Sequence, residues 1–406
     1  MSSSGSQPPF KRGLVLPGGG ARGAYQVGVL KAVATLLPRG APNPFAVISG
    51  TSAGAINAAV LAARARRFGD AIADMERVWR GFHAGQVYRA DAPAMLKSSL
   101  HWFAALTLGG LGVHNPRSLL DNTPLAELLS RQIRFSRIRN AISRGHLDAL
   151  ALTATAYGPG RSVTFYEGRD DLTPWRRVRR EGRQVRLGLE HVLASAAVPL
   201  VFPPVFLRGQ WYGDGAVRQV APLSPAVHLG ADRLLVVGVR DEHPDPEPTE
   251  ADKPPYPSLG QLGGYLLDSL FLDSLYSDLE RLTRINQMLD QLPGDLPLEG
   301  TPSRLRRIDT LIIVPSEDVR DVAGRHAHEL PRPVRLLLRG LGANNPGGRQ
   351  LLSYLLFESG FTGELVDLGY SDAMARRDDL EAFLHAPRMP RLDAPEPLRR
   401  GLLADD

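Results

Sequence analysis

The most constraining feature of this sequence is the pentapeptide Gly-Thr-Ser-Ala-Gly at residues 50–54. An apolar run at residues 45–48 precedes it, and an alanine-rich run at residues 55–61 follows it. This order predicts a strand, a sharp turn and a helix, with Ser52 at the apex, because small flanking residues allow the backbone to bend tightly. The dipole of the following helix favours an anion near Ser52. The pentapeptide is not specific by itself, so the neighbouring motifs decide its meaning.

A glycine-rich loop lies upstream of this turn. Residues 14–16 predict a short strand, residues 18–20 are three consecutive glycines, and a helical pattern starts just after Gly23. Bare backbone N–H groups at a helix N-terminus can bind a phosphate or an oxyanion. A dinucleotide-binding loop also needs an acidic residue about 20 positions further on, and no Asp or Glu occurs between Gly23 and Gly69. No Gly-Lys-Ser/Thr follows either, which excludes a Walker loop.

A third motif places a carboxylate in a turn. Residues 211–216, Trp-Tyr-Gly-Asp-Gly-Ala, put Asp214 between two glycines after a short aromatic strand. The stretch Ala-Ser-Ala-Ala-Val-Pro-Leu-Val-Phe-Pro-Pro precedes it at residues 194–204. An Asp-Gly pair alone usually marks a plain turn. Its place after the other two motifs is what indicates a functional residue.

Taken in this order, the three motifs resemble the patatin-like phospholipase family. The resemblance covers about residues 11–217, and residues 311–315 and 368–373 also look like bacterial members. It implies a lipid acyl hydrolase of the phospholipase A or lysophospholipase type. It further implies that Ser52 is the nucleophile, that Asp214 accepts its proton without a histidine, and that hydrolysis passes through an acyl-enzyme. No metal and no organic cofactor are expected for such a reaction.

The resemblance also assigns the other motif residues. Backbone N–H groups of the loop would hold the oxyanion of the tetrahedral intermediate, and the remaining residues would support the motifs. The oxyanion residues are Gly18, Gly19 and Gly20, and the supporting residues are Arg22, Gly23, Gly50, Gly54 and Gly215. Arg22 is expected to brace the loop rather than to take part in the chemistry. A free aspartate has a pKa of about 3.9, so we expect Asp214 to be ionised at neutral pH.

Three alternatives stay open at this level. The first is that the glycine loop, Ser52 and Asp214 are ordinary turn residues. The second is an α/β-hydrolase with a Ser-Asp-His triad, for which His326, His328 and His385 lie late enough in the chain. The third is a lipid- or protein-binding module on the same scaffold without turnover. All three motifs are intact, which favours an enzyme.

The composition excludes several other classes. The chain has 406 residues, of which 43% are hydrophobic, so it can bury a full core. It contains no cysteine, which excludes a disulfide framework, a thiol nucleophile and a thiolate metal site. Residues 1–9 are polar, and no apolar run reaches the roughly 18 residues of a membrane-spanning helix. We therefore expect a cytoplasmic protein that meets membranes, if at all, peripherally.

Two segments are candidates for contact with a membrane surface. Six arginines and one acid lie between Arg176 and Arg186, which is typical of a solvated surface loop or helix face, or of contact with anionic lipid headgroups. No nucleic-acid-binding motif accompanies these arginines, so no nucleic acid is expected as a partner. The apolar stretch between Leu100 and Val113 predicts either a cap over an acyl site or ordinary core. The oligomeric state is left open.

The alternation of strands and helices predicts an α/β fold. We expect three α/β/α layers with a largely parallel central sheet, plus a helical cap or insertion and C-terminal helices. The expected divisions are a disordered tail at residues 1–10, a catalytic core at 11–240, a proline-rich linker at 241–258, a helical insertion and C-terminal part at 259–386, and a loose tail at 387–406. Each motif follows a predicted strand, so the three are expected to converge at one edge of the sheet.

Overall fold

The computed structural model describes residues 10–89, 118–241, 256–291, 306–340, 342 and 348–386. Residues 1–9 of the expected N-terminal tail, the whole expected C-terminal tail, most of the expected linker and the stretch between Leu100 and Val113 lie outside these residues. In the described part of the chain, ten strands form one sheet. The strands are β1 (Arg12–Leu16), β2 (Val47–Thr51), β3 (Ala149–Ala156), β4 (Arg161–Gly168), β5 (Trp175–Arg176), β6 (Arg180–Gln184), β7 (Val205–Leu207), β8 (Gln210–Asp214), β9 (Arg233–Val237) and β10 (Asp309–Ile313).

The sheet is mixed, and its centre is parallel. Its strand order is β10-β9-β1-β2-β3-β4-β6-β5, with β8 paired to β3 and β7 paired to β8. All neighbours from β10 to β3 run parallel, as do β4 and β6. The pairs β3–β4, β3–β8, β5–β6 and β7–β8 are antiparallel. The expected largely parallel sheet is therefore confirmed, with an antiparallel region on the side that carries Asp214.

Helices cover both faces of this sheet. They are α1 (Gly23–Leu36), α2 (Ala53–Ala62), α3 (Phe68–Arg80), α4 (Thr123–Gln132), α5 (Phe135–Ser143), α6 (Leu189–Ser195), α7 (Ser224–His228), α8 (Leu259–Asp268), α9 (Ser274–Gln291), α10 (Val319–His326), α11 (Arg332–Gly340), α12 (Arg349–Leu355), α13 (Ser359–Ala375) and α14 (Arg377–His385). No helix in the described ranges is both long enough and apolar enough to cross a membrane.

The side chains of β1 show how the layers form. Successive residues of a strand point to opposite faces of the sheet. Leu14 and Leu16 accordingly belong to the core shared with α1, α2, α3 and α13, whereas Val15 belongs to the core shared with α7 and α9. Every residue of β2 and of β9 is buried, as is typical of parallel strands covered on both sides. The predicted three-layer arrangement is confirmed.

The C-terminal region differs from its predicted pattern in two places. Residues 261–291 carry a helical pattern of apolar residues in the sequence. In the structure this helix is interrupted by a π-helical turn at Ser269–Asp273, a feature that occurs often at functional sites. Residues 371–383 also carry a helical pattern, but in the structure they form the end of α13 followed by α14, with a break at Arg376. Strand β10 adds to the edge of the main sheet beside β9. The expected domain boundaries stay a prediction.

Candidate active site

The serine turn has the expected local structure. Strand β2 ends at Thr51, helix α2 begins at Ala53, and Ser52 between them has φ 55° and ψ −126°. A non-glycine residue at positive φ is strained and persists only when the surrounding structure fixes it. Gly54 shows how tight the packing is, because a Cβ there would lie 2.0 Å from the carbonyl oxygen of Leu16. The turn therefore packs against the end of β1, where the glycine loop starts.

Two polar residues that the sequence did not indicate support this turn. The Ser52 N–H donates to Ser195 Oγ at 3.0 Å, and the Ser195 hydroxyl donates to the Thr153 carbonyl at 2.6 Å. The Thr51 hydroxyl donates to Gln219 Oε1 at 2.5 Å. Ser195 lies in the conspicuous stretch at residues 194–204, but no local signal distinguishes Gln219. The Ser52 N–H is thus already paired and is not free to bind an oxyanion.

The glycine loop lies beside Ser52. A Cβ at Gly18 would lie 2.9 Å from the Ser52 Cβ. Gly20 has φ 55° and opens a short 3-10 turn that leads into α1. Among the described residues, the N–H groups of Gly18 and Gly19 have no hydrogen-bond acceptor. The loop therefore offers unpaired donors next to the serine, as an oxyanion-binding loop requires.

Asp214 reaches the serine across β3. Asp214 is the last residue of β8 and pairs with Ala154 of β3. The neighbouring residue of β3, Thr153, pairs with Thr51 at the end of β2, just before Ser52. The Oδ1 of Asp214 accepts a hydrogen bond from the Ala216 N–H at 2.9 Å. Its Oδ2 is buried without a partner that meets hydrogen-bond geometry. The Ser52 hydroxyl nevertheless lies close enough to act on this carboxyl group, so the two side chains are adjacent without a formed hydrogen bond.

Burial controls the ionisation of this carboxyl group. Asp214 is 1% exposed, and desolvation raises its pKa to about 7, against smaller opposite effects from the Ser52 hydroxyl and the Ala216 N–H. The expectation of a fully ionised carboxylate at neutral pH is wrong, because it assumed the pKa of a free aspartate. An acid–base group with a pKa near the working pH is well matched to proton transfer.

The sequence matches the family described as patatin-like phospholipase over residues 14–227, slightly more than half of the chain. The chain belongs to the patatin-like phospholipase family. This assignment supports a lipid acyl hydrolase, as the resemblance of the three motifs implied. No protein of curated function matches the chain in sequence.

Two solved structures are similar to this patatin-like chain. One is VipD from Legionella pneumophila, with 15% identity over 92% of this chain and 67% of that chain, at a TM-score of 0.34. The other is human GIVD cytosolic phospholipase A2 in complex with methyl gamma-linolenyl fluorophosphonate, with 14% identity over 92% of this chain and 59% of that chain, at a TM-score of 0.43. The chain thus spans about two thirds of the first protein and three fifths of the second.

An apolar cavity of this patatin-like protein opens beside Ser52 and follows helix α2. Its lining includes Ile56 and Val60, with side chains of α3 and α4 opposite them. The far end is polar, because Arg64 there lies 3.2 Å from Asp74. The cavity is therefore apolar beside Ser52 and polar where Arg64 and Asp74 line it.

The other predicted site residues lie elsewhere. Of the described histidines, none forms a hydrogen bond with Ser52 or Asp214, and His326 instead contacts Glu329 at 2.6 Å and Glu364. His328 and His385 are likewise absent from the cavity lining. The six arginines between Arg176 and Arg186 lie at an edge of the sheet. Three of them are in β5 and β6, and the other three, Arg177, Arg179 and Arg186, are in the adjoining loops and exposed.

Proposed function

We propose that the protein hydrolyses the ester bond of a lipid or related acyl ester with a Ser52–Asp214 dyad. The observation that carries this proposal is the juxtaposition of Ser52, which lines the apolar cavity, with the unpartnered, buried Oδ2 of Asp214. An unpaired buried carboxylate oxygen costs free energy, and a proton-accepting role for it explains why it stands beside a serine hydroxyl. The proposal concerns a serine esterase of the phospholipase A or lysophospholipase type.

The reaction would proceed in two halves. Asp214 in its ionised form accepts the Ser52 hydroxyl proton while Oγ attacks the ester carbonyl, and the N–H groups of Gly18 and Gly19, together with that of Gly20, hold the oxyanion. Asp214 then returns the proton to the leaving alcohol, which leaves an acyl-enzyme on Ser52. Water attacks this ester, gives its proton to Asp214 and releases the fatty acid as the serine regains its proton.

The cavity supports an acyl chain as the group that Ser52 attacks. Its lining is almost entirely apolar between Ser52 and Arg64, so burial of methylene groups would provide the binding free energy.

Contact with a lipid surface is part of the proposal. The exposed arginines at the edge of the sheet, Arg176, Arg177, Arg179 and Arg186, are placed to attract anionic headgroups, each by about 1 kcal/mol near such a surface. A cytoplasmic protein that attaches peripherally fits this arrangement. Reversing Arg176, Arg177 and Arg179 to Glu should lower activity on anionic vesicles more than on a soluble ester, whereas equal losses would contradict the contact.

A labelling experiment tests the dyad. A fluorophosphonate probe should label the wild type at Ser52, and Ser52→Ala and Asp214→Asn should each lose most of the hydrolysis of a soluble acyl ester. Because the two residues act as one unit, their losses should not add in the double variant. The exposed Ser143→Ala serves as the matched serine control and should behave like the wild type.

The same measurements distinguish the dyad from two alternatives, a binding module without turnover and a Ser-Asp-His triad. A binding module would bind lipid but would neither react with the probe nor release acid, and that result would refute the proposal. A Ser-Asp-His triad would be indicated if His326→Gln, His328→Gln or His385→Gln abolished hydrolysis in a folded protein. The position of His326 among glutamates, away from the cavity, favours the dyad.

A further inference from the structure

A buried polar cluster that the proposed mechanism does not use joins the glycine loop to the C-terminal helices. Its members come from the start of α1, the end of α8 and helix α12, and all are at most 4% exposed. They are Arg22, Asp268, Gln350, Ser353 and Tyr354. Buried charges need partners, and here the partners come from segments far apart in the sequence. The cluster therefore fixes the position of α8 and α12 relative to the loop.

Arg22 is held on three sides. Its Nη1 lies 3.3 Å from Asp268 Oδ1. Its Nε and Nη2 donate to Ser353 Oγ at 2.9 and 2.7 Å. Its guanidinium stacks over the Tyr354 ring, 3.9 Å from the centroid. A planar guanidinium held by an ion pair, hydrogen bonds and a ring has little freedom to turn.

Asp268 is the acidic residue of this cluster. Its Oδ1 also accepts from the Tyr354 hydroxyl, and its Oδ2 accepts from Gln350 Nε2. Arg240 adds a second guanidinium, with Nη1 3.5 Å from Oδ2. The carboxylate thus orients both Arg22 and Tyr354, two residues that contact the glycine loop directly.

The contacts of these two residues lead into the loop itself. The Arg22 N–H donates to the Gly19 carbonyl at 3.1 Å. The Tyr354 carbonyl lies against Gly20, where a Cβ would come within 2.3 Å of its oxygen. The π-helical turn that follows Asp268 places the Phe271 ring against Gly18, where a Cβ would come within 2.4 Å of it. Gly19 and Gly20 are thereby each connected to Asp268 through one residue, Arg22 or Tyr354, and Gly18 is connected through Phe271, whose ring stacks on Tyr354.

We propose that Asp268 is a positioning residue for the reaction, which holds the loop at residues 18–20 in the orientation that oxyanion binding needs. This inference rests on the proposed function and extends it to α8 and α12. Stability alone does not account for such a cluster, because replacing a buried ion pair by apolar residues is often neutral or stabilising. Oxyanion donors, in contrast, must be held closely in place, since a shift of about 1 Å can cost roughly 100-fold in rate.

The test compares two buried aspartates of the same helical region. Asp268→Asn keeps the size of the side chain and removes its charge. Asp278→Asn is the matched control, because Asp278 in α9 is 8% exposed and accepts a hydrogen bond from the Leu223 N–H instead of contacting the loop. The measurements are kcat and KM on a soluble short-chain ester, the rate of fluorophosphonate labelling, and thermal unfolding. Ser353→Ala, which removes the acceptor of two Arg22 hydrogen bonds, is a milder second variant.

The expected result is a loss in kcat without a comparable change in KM. Asp268→Asn should lower kcat by about 10- to 100-fold, while its KM for the short-chain ester stays within about 3-fold of the wild type, because Asp268 itself does not line the acyl cavity. Ser353→Ala should change in the same direction by less, and Asp278→Asn should keep nearly normal kcat. If Asp268→Asn does not fold, the kcat and KM of Ser353→Ala decide the question.

Two outcomes would overturn the inference, and they are distinguishable from a failure of the proposed function. Unchanged kcat in folded Asp268→Asn and Ser353→Ala, with an active wild type, would refute it alone. Equal losses of kcat in Asp268→Asn and Asp278→Asn would show a general effect of helix stability and would also refute it. A wild type that neither hydrolyses the ester nor reacts with the probe would refute the proposed function, and this inference with it.

Discussion

Replacing Asp214 by Asn should stabilise the protein while it removes activity, because the buried carboxyl group is costly in its ionised form. Asp214 is 1% exposed, and its pKa in the folded protein rises from the ordinary 3.8 to about 7. In the unfolded chain the group ionises near its ordinary pKa, so between these two values the folded state binds more protons. The contribution of this group to the unfolding free energy is therefore most favourable below its pKa in the unfolded chain, and it is lost as the pH rises through its pKa in the folded protein.

The magnitude follows from the size of the shift. One pKa unit corresponds to about 1.4 kcal/mol, so the shift of Asp214 costs about 4 kcal/mol of unfolding free energy at pH 8. At pH 5 the cost is only about 2 kcal/mol, since the folded state keeps the proton there. Asparagine carries no charge, and its carbonyl oxygen can still accept from the Ala216 N–H. The unfolding free energy of Asp214→Asn minus that of the wild type should thus increase by about 2 to 3 kcal/mol between pH 5 and pH 8.

Urea unfolding at pH 5 and pH 8, followed by tryptophan fluorescence, measures this difference. Wild type and Asp214→Asn are compared with Asp170→Asn, an aspartate-to-asparagine control at an exposed position. The control should shift the unfolding free energy by little and equally at both pH values. If the difference between Asp214→Asn and the wild type is the same at pH 5 and pH 8, Asp214 has no raised pKa and the reasoning fails.

Three further predictions concern activity. Because only the ionised carboxylate of Asp214 can accept the serine proton, kcat/KM should rise with pH through an apparent pKa of about 7; a profile that is flat from pH 5 to pH 8 would contradict it. Val60→Trp should block the cavity along α2 and lower kcat/KM for a twelve-carbon ester at least about 10-fold relative to a four-carbon ester. An unchanged ratio of kcat/KM between the two esters would show that the acyl chain binds elsewhere. Gly18→Ala would put a methyl group 2.9 Å from the Ser52 Cβ and 2.4 Å from the Phe271 ring. Because this crowding would displace an oxyanion donor, kcat should fall by about 100-fold or more. A normal kcat would refute the placement of the oxyanion at this loop.

The sequence determined the local parts of the site because glycine constraints are local. The strand, turn and helix around Ser52 are encoded by Gly50 and Gly54, whose missing side chains permit the close approach to neighbouring backbone. The glycine loop and the turn at Asp214 have the same short-range origin. The alternation of strands and helices likewise predicted the three layers, since each element must bury one apolar face.

Only the tertiary structure decided how these parts act on one another. The pKa of Asp214 depends on desolvation by residues from many segments, so a pKa taken from the free amino acid is wrong by about three units. Arg22 and Asp268 lie 246 positions apart, and Ser52 and Ser195 lie 143 apart, so no local pattern relates them. The antiparallel strand that carries Asp214 to Ser52, and the π-helical turn after Asp268, arise from long-range packing. Sequence periodicity records which face of an element is apolar, but it does not record which distant partner that face will contact.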